Sequence, residues 1–287
     1  MEIRPATWDD LGAAVDLLGV QSRAASGISA IRLEFVRAEW ELPGFEVGRD
    51  NLVAEESGRV IGYAGLSPKL ELAIAGADPA VEDSLLAGIE ARARERGAGE
   101  IRVTVVSEDD PRNELVRRRG FWLESETLLM WRRLNGELAA PRWAPGITVR
   151  TFDPEDAEAV HALLDEAYRA WDQHYVPVSH DAWVRGMTGD AEFDPTVWWL
   201  AEREGALAGC ALHWSSGWLK DLAVRTSERG RGLGEALVRE GLIEFARRGV
   251  ARVGLKVDAA NPTGAVGLYE RLGFVTERRE ATWALSL

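Results

Sequence analysis

The chain repeats itself, and a repeat of this length turns the folding problem into two copies of one unit. Near the start, IRPATWDDLGAAVDLL from Ile3 matches VRTFDPEDAEAVHALL from Val149 at a shift of 146, sharing Arg4/Arg150, Asp10/Asp156, Ala13/Ala159 and Leu17/Leu163. Further on, LVAEESGRVIGYAGL from Leu52 matches WLAEREGALAGCALH from Trp199 at a shift of 147. Both carry an alternating strand, a turn around Gly58 or Gly205, and a second strand, so both read as hairpins. RRRGFWLESE from Arg117 matches YERLGFVTERRE from Tyr269, with Gly120-Phe121 standing for Gly273-Phe274. Three matches in the same order make a duplication.

LNGELAAPRWAPG, about 134–146, lies between the copies; its Pro and Gly content without a sustained apolar period marks a linker. The expected domains are therefore 1–134 and 147–287. Each reads as strand, helices, hairpin, strand, long helix, strand, short helix and hairpin, an α/β unit of roughly 140 residues. The whole length of 287 residues suits two domains.

Composition excludes several classes of function. A net charge of −13 argues against nucleic acid, because neutralising a phosphate backbone needs a basic surface. No apolar run approaches the roughly 20 residues of a membrane span, and the N-terminus lacks a signal-peptide layout, so a cytoplasmic protein is expected. The single cysteine, Cys210, excludes an internal disulfide and a Cys-rich metal site. His161, His174 and His180 have no metal-ligand spacing, and no metal is expected.

The stretch WLKDLAVRTSERGRGLG at 218–234 carries the chemistry. Leu219, Leu222, Ala223 and Val224 make an apolar strand; beyond the glycines, Leu237, Val238, Gly241, Leu242 and Phe245 share one helical face. Glycines on a strand-to-helix turn let backbone approach a ligand, and the first helical amides lack internal partners, so the turn reads as a pyrophosphate site. Arg229 and Arg231 add positive charge. A dinucleotide fingerprint fails because the sixth position is Glu235, and no Walker lysine follows. The spacing that fits is R-x-x-G-x-G, from Arg229 through Gly232 to Gly234.

With this loop after an LAV strand, the chain resembles the GNAT superfamily of acyl-CoA-dependent N-acyltransferases. VGLKVDAANPTGAVGLYERLGF supplies the next family feature: a strand, then Asn261, then a helix bearing Leu268-Tyr269 and closing at Gly273-Phe274. The resemblance covers most of residues 147–287. It implies two tandem domains, each a mixed, mostly antiparallel twisted sheet flanked by helices. Backbone groups of Leu222, Ala223 and Val224 are then expected to pair with the pantetheine arm of acetyl-CoA, as an added strand pairs. Arg229, Gly230, Arg231, Gly232, Leu233 and Gly234 would cradle the pyrophosphate, and Asn261 would touch the cofactor arm. Tyr269 would protonate the leaving thiolate. Read from the residues alone, Asn261 serves equally as a cap before Pro262, and Tyr269 equally as a core aromatic.

The tandem arrangement is similar to the mycothiol synthase family, whose C-terminal half is catalytic and whose base is a Glu six residues before the end of the central strand. Counting back from Val224 gives Trp218, which accepts no proton. Asp221, Lys220 and His213 are the replacements, with Asp221 the candidate base. Strict alternation puts Lys220 on the face of Trp218 and Leu222 and Asp221 on the other, unless a bulge reverses them.

In the first copy the loop is replaced by AGADPAVEDSLLAG, with Glu82 and Asp83 near the pyrophosphate position, Val116 in place of the tyrosine and acidic SEDD in place of the asparagine. That copy is expected to be degenerate. The segment from Ala167 to Trp183 falls where the family builds its acceptor lid, and its aromatics with Asp172, His174, Tyr175 and Asp181 are the expected specificity residues. The expected activity is acetyl transfer from acetyl-CoA to a small primary amine, by a monomer or homodimer. The alternative is a non-catalytic acyl-CoA sensor or scaffold.

Overall fold

The computed structural model describes residues 1–26, 31–42, 44–171 and 175–287. Along the chain the strands are β1 (Glu2–Pro5), β2 (Asn51–Glu56), β3 (Arg59–Leu66), β4 (Glu71–Gly76), β5 (Glu100–Val106), β6 (Trp122–Arg133), β7 (Ile147–Thr151), β8 (Trp199–Arg203), β9 (Ala206–Trp214), β10 (Trp218–Val224), β11 (Arg252–Asp258) and β12 (Val275–Ser286). The helices are α1 (Leu11–Ser26), α2 (Leu33–Trp40), α3 (Val47–Asp50), α4 (Pro79–Glu95), α5 (Asp110–Arg118), α6 (Ala157–Arg169), α7 (His180–Thr188), α8 (Leu233–Arg247) and α9 (Ala265–Arg271).

Two compact units result. One holds residues 1–127 together with 278–287, the other residues 128–277. In the first, the strand order is β1-β2-β3-β4-β5, completed by the C-terminal part of β12, which runs antiparallel to β5 from Glu280↔Val106 to Ser286↔Glu100. In the second, the order from β7 is β7-β8-β9-β10-β11, with the end of β6 beside β11. The last strand of the chain thus packs with the first unit, where Ala281 and Trp283 join the core.

Local details repeat along with the strand order. Arg4 donates to Asp10 and to Glu55, both at 2.8 Å, and Arg150 grips Asp156 and Glu202 in the same way. The carboxylates of Asp10 and Asp156 each also accept the backbone amide three residues earlier, Thr7 and Asp153, at 2.8 Å, so each seals a helix start. Both hairpins turn on two positive-φ residues, Ser57-Gly58 and Glu204-Gly205, as a type I′ turn requires. Both hairpins carry a bulge at the equivalent place, between Ala54 and Glu55 and between Ala201 and Glu202.

The helix that follows the glycine turn is built for one buried face. Leu233, Leu237, Gly241, Leu242 and Phe245 of α8 are buried at helical spacing. Gly241 lets the helix close on β9: a Cβ there would stand 2.6 Å from the His213 ring. The end of α8 is a Schellman cap, with the Val250 amide bonded to Phe245 O and the Gly249 amide to Ala246 O, each at 3.0 Å.

Each unit also has one short parallel ladder. β4 pairs with β5 only at Glu71↔Arg102 and Leu72↔Val103, and β10 pairs with β11 only at Trp218↔Gly254 and Leu219↔Leu255. Past those pairs the two strands separate, and in the second unit the separation opens the site.

Candidate active site

A cleft of about 480 Å³ lies in the 128–277 unit, between the diverging ends of β10 and β11. Lys220, Leu222, Ala223 and Val224 form one wall and Lys256, Val257 and Asp258 the other. Among the described residues β10 has no ladder partner on its β11 side from Lys220 onward, so its backbone there can pair with an extended ligand, apart from Val224 O, which accepts from Arg229.

At the far end of β10 the chain passes through a short turn, Thr226–Glu228, and reaches the glycines. Gly230 and Gly232 sit at φ 75° and 80°, a region that side chains disfavour, and Cβ atoms at either would meet nothing within 4 Å. Gly232 is the N-cap of α8 and brings no side chain to the first amides of the helix. Those donors therefore remain open to an anion.

The charges around this turn are sorted. Glu228 is neutralised by Arg203 at 3.0 Å and Arg231 at 3.5 Å, and Glu235 by Arg239 at 2.8 Å. Arg229 donates from Nε to Val224 O at 3.1 Å and has no carboxylate partner among the described residues, so its charge is left for the cleft. Arg231, expected in the cradle, is exposed, stands 3.5 Å from Glu228 and is not among the residues that line the cleft. Gly230, Gly232, Leu233 and Gly234 do line it.

Asn261 faces the cleft from the turn before α9. Its Oδ1 accepts the Thr263 amide at 3.0 Å and the Thr263 hydroxyl at 2.5 Å, which leaves the amide NH₂ without a partner among the described residues. Gly264, not Asn261, is the N-cap of α9. Tyr269 lines the cleft within the electrostatic reach of Asp221 and Tyr168, 6% exposed, with its ring edge against Phe274 at 5.7 Å. Its hydroxyl has no hydrogen-bond partner among the described residues. Burial, and next the charge of Asp221, raise its pKa above the usual phenol value.

Asp221 is buried at 5% exposure and does not line the cleft. A bulge between Leu219 and Asp221 makes Lys220 the extra residue, so that Asp221 pairs with Leu212 and Trp218 with Trp214. Asp221 thus shares the face of Trp218, the reverse of strict alternation. There its Oδ1 accepts the Tyr168 hydroxyl of α6 at 2.5 Å and its Oδ2 the Lys220 Nζ at 3.3 Å. His213 stands on the other face, sealed under α8. Its Nδ1 donates to Val197 O at 3.1 Å, and burial pulls its pKa down to about 4.

Of the lid residues, Tyr175 stacks on Tyr168, centroids 5.4 Å apart and planes 17° apart, while Asp181 is exposed beside His180. Asp172 and His174 lie outside the described residues. Tyr168 and Trp171, two aromatics of the segment expected to form the lid, line the cleft. The bond from Tyr168 to Asp221 is not marked within α6, since the partner is 53 residues away. Among the described residues no group of His, Cys, Asp and Glu side chains is gathered to hold a metal, and no helix is long and apolar enough to cross a membrane.

Residues 157–274 match the family model described as Acetyltransferase (GNAT) family. The chain is 32% identical over 254 residues to the mycothiol acetyltransferase of Thermomonospora curvata, covering 83% of both chains. It is 30% identical over 253 residues to that of Streptomyces coelicolor, covering 80% of this chain and 77% of the relative. The chain belongs to the GNAT family of acetyltransferases. With the Thermobispora bispora enzyme of the same name, identity is 36% over 173 residues, and the match spans about half the length of that relative, 55%. Among solved structures, a GCN5-related N-acetyltransferase from Sphaerobacter thermophilus superposes with a TM-score of 0.78 at 25% identity, over 99% of this chain and 95% of that one. A tandem GNAT protein from the clavulanic acid biosynthesis pathway gives 0.72 at 18% identity, over 99% and 98%, a likeness of fold. The two-unit architecture is thus that of tandem GNAT proteins.

In the first unit β4 and β5 also pair only briefly, but the start of α4 is met by side chains of its own unit. Asp78 caps α4, accepting the Ala80 and Val81 amides at 2.9 and 3.0 Å. Glu82 accepts the Gly76 amide at 3.0 Å and is clasped by Arg112. Asp78 thus holds first-turn amides of a kind that no side-chain cap meets at Gly232 of α8.

Proposed function

We propose that the protein moves an acetyl group from acetyl-CoA to the primary amine of a small molecule, within the 128–277 unit, in the cytoplasm and without a metal. We read 1–134 and 147–287 as the two duplicated copies, of which the first no longer binds the cofactor. The observation that carries this reading is the early end of the β10–β11 ladder. It supports an extended acyl-pantetheine arm held against Leu222, Ala223 and Val224, with the open amides of α8 and Arg229 at the pyrophosphate end and Tyr269 at the other.

Attack by the neutral amine nitrogen on the thioester carbonyl forms the C–N bond and breaks the C–S bond. Tyr269, kept protonated by burial, offers its O–H to the developing thiolate. The thiol's own pKa is near 8.5, so full transfer from so weak an acid is uphill; the hydroxyl counts first as a hydrogen-bond donor that stabilises the leaving charge. The relatives are named for mycothiol acetylation, which supports a small-molecule amine as acceptor. Trp218 stands where the mycothiol family pattern puts its base, so the proton of the amine must leave by another route.

The test is incubation of the purified protein with acetyl-CoA and a panel of primary amines, with free thiol as the readout. Thiol release that depends on one of the amines is expected. Binding of acetyl-CoA with no release for any amine would instead identify a sensor or scaffold.

A further inference from the structure

We propose that Tyr168 is a catalytic residue that takes the proton from the attacking amine and passes its own to Asp221 behind it. This rests on the acetyl-transfer reading above and supplies the base that Trp218 does not.

The placement is specific. Tyr168 lines the cleft, whereas Asp221 does not, and the Tyr168 hydroxyl donates to Asp221 Oδ1 at 2.5 Å. The carboxylate is therefore reached from the cleft through the two groups that bond it, Tyr168 and Lys220. The bulge at Lys220 is what turns Asp221 toward α6, since regular alternation would point it to the α8 side. A buried carboxylate is a costly way merely to tie a helix to a strand, because two neutral groups would do so without a charge to desolvate.

Two tyrosines at one end of the cleft are thereby given different tasks. The Tyr269 hydroxyl is uncommitted among the described residues and faces the leaving group, while that of Tyr168 is committed to a carboxylate. The groups whose fields meet at Asp221 are Lys220 beside it on β10, Tyr168 from α6, Tyr269 from α9, Cys210 from β9 and Tyr175 from the lid. Lys220 is the cation in contact with Asp221 among the described residues, and burial keeps Tyr168, Tyr269 and Cys210 protonated.

The proton count closes. As the C–N bond forms, the nitrogen becomes positive and far more acidic; its proton goes to Tyr168 Oη while the Tyr168 proton goes to Asp221 Oδ1. The C–S bond breaks, and the Tyr269 O–H donates a hydrogen bond to the thiolate while keeping its proton. After the amide leaves, the proton on Asp221 returns through Tyr168 and water to the thiolate, which departs as the thiol.

The experiment uses the full chain, acetyl-CoA and whichever panel amine the wild-type protein acetylates fastest. Tyr168→Phe, which keeps the ring and deletes the hydroxyl, is expected to lower kcat about 10²-fold. Asp221→Asn is expected to match it, and the double variant to be no slower than either, as for groups acting as one unit. Both variants should bind acetyl-CoA as the wild type does, which shows that they fold. Wild-type kcat in Tyr168→Phe, or losses that multiply in the double variant, would overturn the relay while leaving acetyl transfer standing. Absence of thiol release by the wild type with every amine would overturn both.

Discussion

Tyr269 and Val116 stand at matching positions of the two sequence copies, and Tyr269 brings a phenol to a cleft where valine has neither ring nor hydroxyl to offer. Tyr269 was open to two readings in the sequence, core aromatic or acid, and its position satisfies part of each: the ring is buried against Phe274 while the side chain lines the cleft. Tyr269→Phe keeps the buried ring and removes the donor, so it should lower turnover about 10²-fold with acetyl-CoA affinity nearly unchanged; steady-state kinetics beside a binding titration measures both. Unchanged turnover would make the residue structural. Arg229, Gly230, Gly232, Gly234, Asn261 and Tyr269 were legible because they stand at motif spacings. Tyr168 was legible only as one of the lid aromatics, and its bond to Asp221 was not, because a pairing across 53 residues leaves no local pattern.

At the scale of elements, α8 is fixed from both sides, by its glycine turn at one end and by His213 beneath its middle. The His213 ring fills the space beside Gly241 and meets the edge of Phe245 at 5.4 Å. Held neutral there, it has a pKa of about 4 against 6.5 in the unfolded chain. Between those values the unfolded state binds more protons, so this contribution is fully present above about pH 6.5 and is lost as pH falls toward 4. Urea unfolding midpoints should therefore drop between pH 7 and pH 4.5, and His213→Gln should flatten that part of the profile. An unaltered slope in the variant would contradict the account of the buried ring. Strand limits and hairpins followed from alternation and turn residues. The bulge at Lys220 did not, since a bulge is set by packing against neighbours, and it decides which face Asp221 takes.

For the molecule as a whole, the sequence repeat is visible as a structural repeat down to its ion pairs, Arg4 with Asp10 and Glu55, Arg150 with Asp156 and Glu202. Compact units follow a different line from the linear copies, because residues 278–287 pack with 1–127. Periodicity identifies those residues as a strand but carries no information about which sheet edge they join. The two copies also diverge in a way that charge alone suggested and geometry explains: Asp78 and Glu82 sit on the amides of the first unit, whereas Gly232 leaves those of α8 open. On the function proposed above, a protein so built is expected to have one place for acyl-CoA. Isothermal titration of the full chain with acetyl-CoA tests this most directly: one molecule bound per chain is predicted, and two per chain, or none, would contradict it.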